Sequence, residues 1–176
     1  MDLIPEPIIG IRQSVRSTIY KAALQPRTPD TFGIILGIEN AEKNAPIFEA
    51  ALVSCSSDEL TKVKDIIISD ISLCEKVVKF TMFQPIAIFT ANSWSLRNDP
   101  NQRLGFLIDM AYILEIPYVA VFPTDGGETI WGITLYSSYR FPQEPLNYKM
   151  LKKASDKPEN NPRRIRALWK KLKCGS

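Results

Sequence analysis

The sequence predicts an α/β fold, a central sheet of mixed direction with helices packed against it. Three observations predict it. Short apolar runs rich in β-branched residues alternate with stretches of helical spacing. Two pairs of those runs are joined by turn-type segments and read as hairpins, which breaks a purely parallel pattern. A chain of 176 residues with 45% hydrophobic content can bury one core without cross-links.

The elements follow in order. PIIGIR (7–12) is apolar and opens the sheet, and from Ile11 apolar residues recur at Val15, Ile19, Ala22 and Ala23 with helical spacing until Pro26 and Pro29 close the helix. TFGIILGIEN (31–40) and PIFEAALVSCSS (46–57) read as two strands joined by a turn. Ser56-Ser57-Asp58-Glu59 fits a capping box, with the Ser56 hydroxyl at the helix start and Glu59 reaching back. Leu60, Val63, Ile66, Ile67, Ile71, Cys74, Val77 and Val78 then line one face of a long helix. IAIF (86–89) is a buried strand followed by a polar loop, 90–99. Pro100 opens a helix carried by Leu104, Leu107, Ile108, Ala111 and Leu114 to Pro117. YVAVF (118–122) is a strand, TDGGE a glycine turn, and TIWGITLYSS (129–138) its hairpin partner.

Composition excludes several chemistries. The chain has no histidine, so it holds no Ser-His-Asp or Cys-His pair and no histidine-ligated zinc. Three scattered cysteines form neither a disulfide framework nor a metal motif. No apolar run reaches the length of about 18 residues that a spanning helix needs, and MDLIPEP lacks a signal-peptide pattern, so an intracellular, cytoplasmic protein is expected, an expectation that does not exclude the nucleus.

Charge divides the chain. Residues 149–176 carry ten Lys/Arg against two Asp/Glu, +8, leaving twelve against seventeen, −5, for the remainder and +3 overall. The expected division is therefore a core over 1–147 and a basic linker with an amphipathic helix over 148–176. In that helix Asn161 caps, Pro162 starts, and Ile165, Leu168, Trp169 and Leu172 form an apolar stripe among Arg163, Arg164, Arg166, Lys170, Lys171 and Lys173. Such a helix binds a protein groove, an anionic membrane or nucleic acid, or else docks on its own core.

A resemblance sharpens the reading. Pro29 and Asp30 precede Gly33-Ile34-Ile35-Leu36-Gly37; a hairpin and a long helix then lead to a strand running into Thr90-Ala91-Asn92-Ser93; a helix, strand, glycine turn and strand close 100–138. Over about 7–140 this resembles the JAB/MPN (JAMM) family of metal-dependent isopeptidases. The resemblance implies a three-layer, cytidine-deaminase-like core and, because members commonly pair, a homo- or heterodimer. Carried over by position, Asp30 stands where the family has its catalytic glutamate, Thr90 and Asn92 where it has two histidine ligands, and Pro100 and Arg103 where it has a serine and an aspartate ligand. A hydroxyl, an amide and a permanent cation do not make a zinc site. The resemblance thus implies a non-catalytic member that uses no cofactor and no metal and acts by binding other proteins.

Other residues compete for attention. Trp94 and Arg97 in the polar loop make a contact surface if exposed, whereas Trp94 is a core residue if folded back. The stretch 103–122 is also similar to nucleotide-sugar hydrolase and deoxyribosyltransferase folds, in which a helix carboxylate is the nucleophile; Asp109 would be that group, with Asp99 as a second candidate. The basic segment 156–176 with Trp169 offers a further alternative, phosphate contacts to nucleic acid.

Overall fold

The computed structural model describes residues 8–23, 30–39, 46–79, 81–92, 100–123, 132–140, 144–152 and 161–174. The elements are β1 (Ile9–Arg12), α1 (Gln13–Ala23), β2 (Thr31–Ile38), β3 (Ile47–Ser56), α2 (Leu60–Val78), β4 (Gln84–Asn92), α3 (Pro100–Ile113), β5 (Tyr118–Pro123), β6 (Thr134–Ser137), β7 (Tyr148–Leu151) and α4 (Pro162–Cys174). The seven strands form one mixed sheet in the order β6-β5-β4-β2-β3-β1-β7. Both expected hairpin pairs, β2–β3 and β5–β6, are antiparallel neighbours, while β1–β3, β1–β7 and β4–β5 run parallel.

The sheet curls until it nearly closes. The Leu146 amide donates to the Leu135 carbonyl of β6 at 2.8 Å, and the Ile133 amide donates to the Tyr148 hydroxyl at 3.1 Å. The segment that leads into β7 therefore touches β6, while β7 pairs with β1 at the other end of the strand order. The enclosed face gathers Ile9, Ile11, Ile35, Phe48, Phe89, Phe122 and Leu135, with Val15 and Ile19 of α1 packed into them. The outer face gathers Phe32, Ile34, Leu36, Leu52, Ile88 and Val119 under α2, α3 and α4. Curling reduces the unpaired edge that an open sheet presents.

The GIILG run has a packing reason. Register shifts in the β2–β3 pairing fall at Phe32/Gly33 and Leu36/Gly37. At each, a side chain would come within 3.0 Å of a backbone carbonyl on β3, that of Leu52 or of Ile47. Bulges bring backbones together, and only glycine leaves the room. Pro85 falls at a third shift, between β2 and β4, where a missing amide costs least.

Several details depart from the sequence reading. The Ser56 capping box does not form: Ser56 ends β3, and α2 starts at Leu60 behind Glu59, which makes no side-chain cap bond. Instead the Glu59 amide donates to the Ser57 hydroxyl at 3.0 Å, a local turn, because pairing with β2 holds Ser56 in the extended state. β4 is longer than 86–89 and includes Thr90 and Asn92, which are strand residues. Residues 148–151, expected at the start of the linker, form strand β7. In α3, Glu115 takes the positive φ of 59° that follows the last turn, where the Ile116 amide reaches the Ala111 carbonyl at 2.8 Å.

Candidate functional site

β3, β4 and β5 end at the same margin of the sheet where β2 begins, and loops beyond parallel strand ends are the usual place for ligands in α/β sheets. Asp30 stands at that margin, 2% exposed, with its carbonyl accepting the Ser57 amide at 3.0 Å. Next to it, Thr31 is paired with Ala91 and with Ser56, and the two hydroxyls of Thr31 and Ser56 lie 3.4 Å apart. Thr90 faces Phe32 in the ladder and is 1% exposed; its hydroxyl has no partner among the described residues. Asp30 and Thr90, sixty positions apart in sequence, are thus brought to one strand end.

The other expected positions divide. The backbones of Asn92, Pro100 and Arg103 lie at the end of β4 and the start of α3; their side chains, and all of Trp94, Arg97 and Asp99, lie outside the described residues. Asp109 is exposed on the solvent side of α3. Among the described residues no three acid or thiol groups gather as metal ligands do.

The basic helix is anchored. Ile165 and Trp169 are buried in the outer core beside α2 and β3. The Trp169 indole N–H donates to the Val53 carbonyl at 2.9 Å. That carbonyl is available because β1 pairs with β3 only near Ile47 and Phe48, leaving the later half of β3 open on that side. Lys173 reaches back to the carboxylate of Asp70 at 2.8 and 3.0 Å, and Asp70 is 4% exposed on the inner face of α2. Sequence reasoning missed Asp70, which sits on the α2 face at the spacing of Val63, Ile67 and Cys74. Trp169 is therefore a core residue and not a free contact anchor. Asn161 caps the helix as expected, its Oδ1 accepting the Arg163 amide at 2.9 Å. Arg163, Arg164, Lys170 and Lys171 are exposed.

Where α4 crosses the open half of β3 it faces α1. A cleft of about 540 Å³ lies between them, lined by Ser14, Ser17, Thr18, Lys21, Arg163 and Arg166. Thr18 and Arg166 also border a smaller hollow of about 260 Å³, floored by Ala51, Val53 and Trp169. Among the described residues no carboxylate lines either part. Burial and the neighbouring charge of Arg163 push the Arg166 guanidinium below its usual range.

Comparison with known proteins gives the fold and little else. No family model matches the chain, and no curated protein matches it. Among solved structures the chain is similar to the solution structure of protein DSY2949 from Desulfitobacterium hafniense, with a TM-score of 0.55 and 8% identity over 84% of this chain and 96% of that one. At that identity the likeness speaks for shared architecture alone.

Proposed function

We propose that the chain is a non-catalytic JAB/MPN-like module that acts by binding another protein. One observation carries the reading. Asp30 and Thr90, assigned by resemblance to the catalytic acid and a metal ligand, lie together at one strand end, and the backbone of Asn92 is the next in line. Their closeness supports the reading, and the chain lacks the imidazoles that hold zinc. The buried hydroxyl of Thr90 contributes neither a strong ligand nor a base. No helix among the described residues is long and apolar enough to cross a membrane.

A gain-of-metal experiment tests it. The variant Asp30→Glu, Thr90→His, Asn92→His, Arg103→Asp should take up one zinc per folded chain by elemental analysis after gel filtration, and the parent chain none. Isopeptide-linked ubiquitin-like substrates should remain intact with the parent. A folded variant that takes up no zinc removes the positional equivalence. Stoichiometric zinc with cleavage by the parent overturns the non-catalytic assignment. Sedimentation over a concentration series then reports whether the partner is a second copy.

A further inference from the structure

We infer that the α1–α4 cleft is a binding site for a nucleoside phosphate, taking the phosphate against Arg166, Arg163, Lys21 and Ser14 and the nucleoside over the hollow floored by Ala51, Val53 and Trp169. It is independent of the strand-end site. The polar part supplies three cations and the hydroxyls of Ser14 and Ser17, and among the described residues no acid lines it. Two other buried charges are paired, Glu49 with Arg12 and Asp70 with Lys173. Arg166 differs. Its Nη1 is out of solvent and has no acceptor among the described residues, and the same holds for the Ser14 hydroxyl. The guanidinium has been stripped of part of its water without receiving a counter-ion from any described residue. An anion in the cleft supplies the missing charge, and a planar fork of donors suits a phosphate's oxygens.

Size and neighbourhood select the rest of the ligand. A volume of about 540 Å³ exceeds what a bare phosphate fills and lies in the range of small-molecule sites, roughly 300–1,000 Å³. Thr18 and Arg166 join it to the apolar hollow, so a ligand reaching both carries an anion at one end and a flat apolar group at the other. A nucleoside monophosphate has that division, whether free or as the 5′ end of a strand.

Calorimetric titration of the full chain tests the site. A nucleoside 5′-monophosphate should bind saturably at one per chain, at least about tenfold tighter than inorganic phosphate, and the unphosphorylated nucleoside should not bind measurably. Arg166→Gln should weaken binding at least about tenfold, whereas Arg164→Gln, an exposed charge on the same helix that does not line the cleft, should change it less than twofold. Ser14→Ala serves as the second variant if Arg166→Gln unfolds the chain, and should weaken binding about threefold. Oligonucleotides with and without a 5′-phosphate distinguish the sources. Tighter binding of the phosphorylated strand than of the free nucleotide assigns a strand end, the reverse assigns a free nucleotide, and both support the site. Equal binding of the two strands, equal losses from Arg164→Gln and Arg166→Gln, or no saturable binding of the monophosphate overturns it.

Discussion

The attachment of α4 can be tested at Trp169. The indole is buried, packs within the core under α2, and bonds the Val53 carbonyl through its N–H. Truncation to alanine removes that packing and leaves a cavity, a change that costs about 3–5 kcal/mol in well-packed cores. Trp169→Phe keeps most of the apolar contact and removes only the donor, leaving the Val53 carbonyl without its partner, at about 1–2 kcal/mol. The two variants should therefore separate by about 2–3 kcal/mol. Equilibrium urea unfolding followed by circular dichroism measures both. The midpoint should fall with little change in slope for Trp169→Phe, because the same surface unfolds. In Trp169→Ala, native-state hydrogen exchange should show the α4 amides opening before the sheet, since the helix loses its main anchor. Losses below 1 kcal/mol for both variants would mean that the helix is not held on the body, and the Val53 contact and the cleft would fall together.

Four further outcomes follow. Glu49 is 1% exposed, and burial raises its carboxyl above the usual value of 4.5 despite the Arg12 guanidinium 3.1 Å away. Its contribution to stability is therefore present in full below pH 4.5 and is lost as pH rises through the folded-state value; Glu49→Gln should remove that slope from a thermal-unfolding series across pH. Gly33→Ala should destabilise by roughly 2 kcal/mol or more, or abolish folding, because a methyl there meets both the Leu52 carbonyl and the Phe89 ring within 3.0 Å; a variant within 0.5 kcal/mol of the parent in urea contradicts the bulge packing. Thr90→Val keeps the shape and deletes a buried hydroxyl without a partner among the described residues, so it should stabilise by about 1 kcal/mol in the same assay. Burial, then the charge of Asp70, pushes the Cys74 thiol up to about 12, while Cys174 is exposed. A disulfide reagent at pH 8 should thus label Cys174 within minutes and Cys74 only in denaturant.

The sequence was most informative where the signal is local. Periodicity placed α1, α2 and α3 nearly to their ends, and the alternation of apolar runs with turns gave both hairpin pairs, because neighbours in sequence are neighbours in space there. It went wrong where a distant strand decides. Ser56 looks like a cap, yet pairing with β2 keeps it extended. Thr90 and Asn92 look like loop residues, yet β2 and β5 on either side draw them into β4. The segment from 148 looks like the start of a linker, and only the arrival of β1 makes it a strand. Asp70 on an apolar helix face reads as an interruption until Lys173, 103 positions later, arrives to pair with it.

By itself the sequence determined which chemistry the chain lacks and where its charge lies. A missing imidazole is a property of composition and survives any folding, and the excess of Lys and Arg after residue 149 is equally indifferent to conformation. Tertiary structure alone decided what those charges do. The apolar stripe of α4 finds its cover on β3 and α2, so the helix is docked rather than a free arm, and Arg163 and Arg166 line the cleft against α1. The reason is that solvent exposure and counter-ion supply are set by neighbours from far along the chain. Arg166 is one basic residue among the ten of 149–176, and in the fold its Nη1 lies buried at the cleft without an acceptor among the described residues.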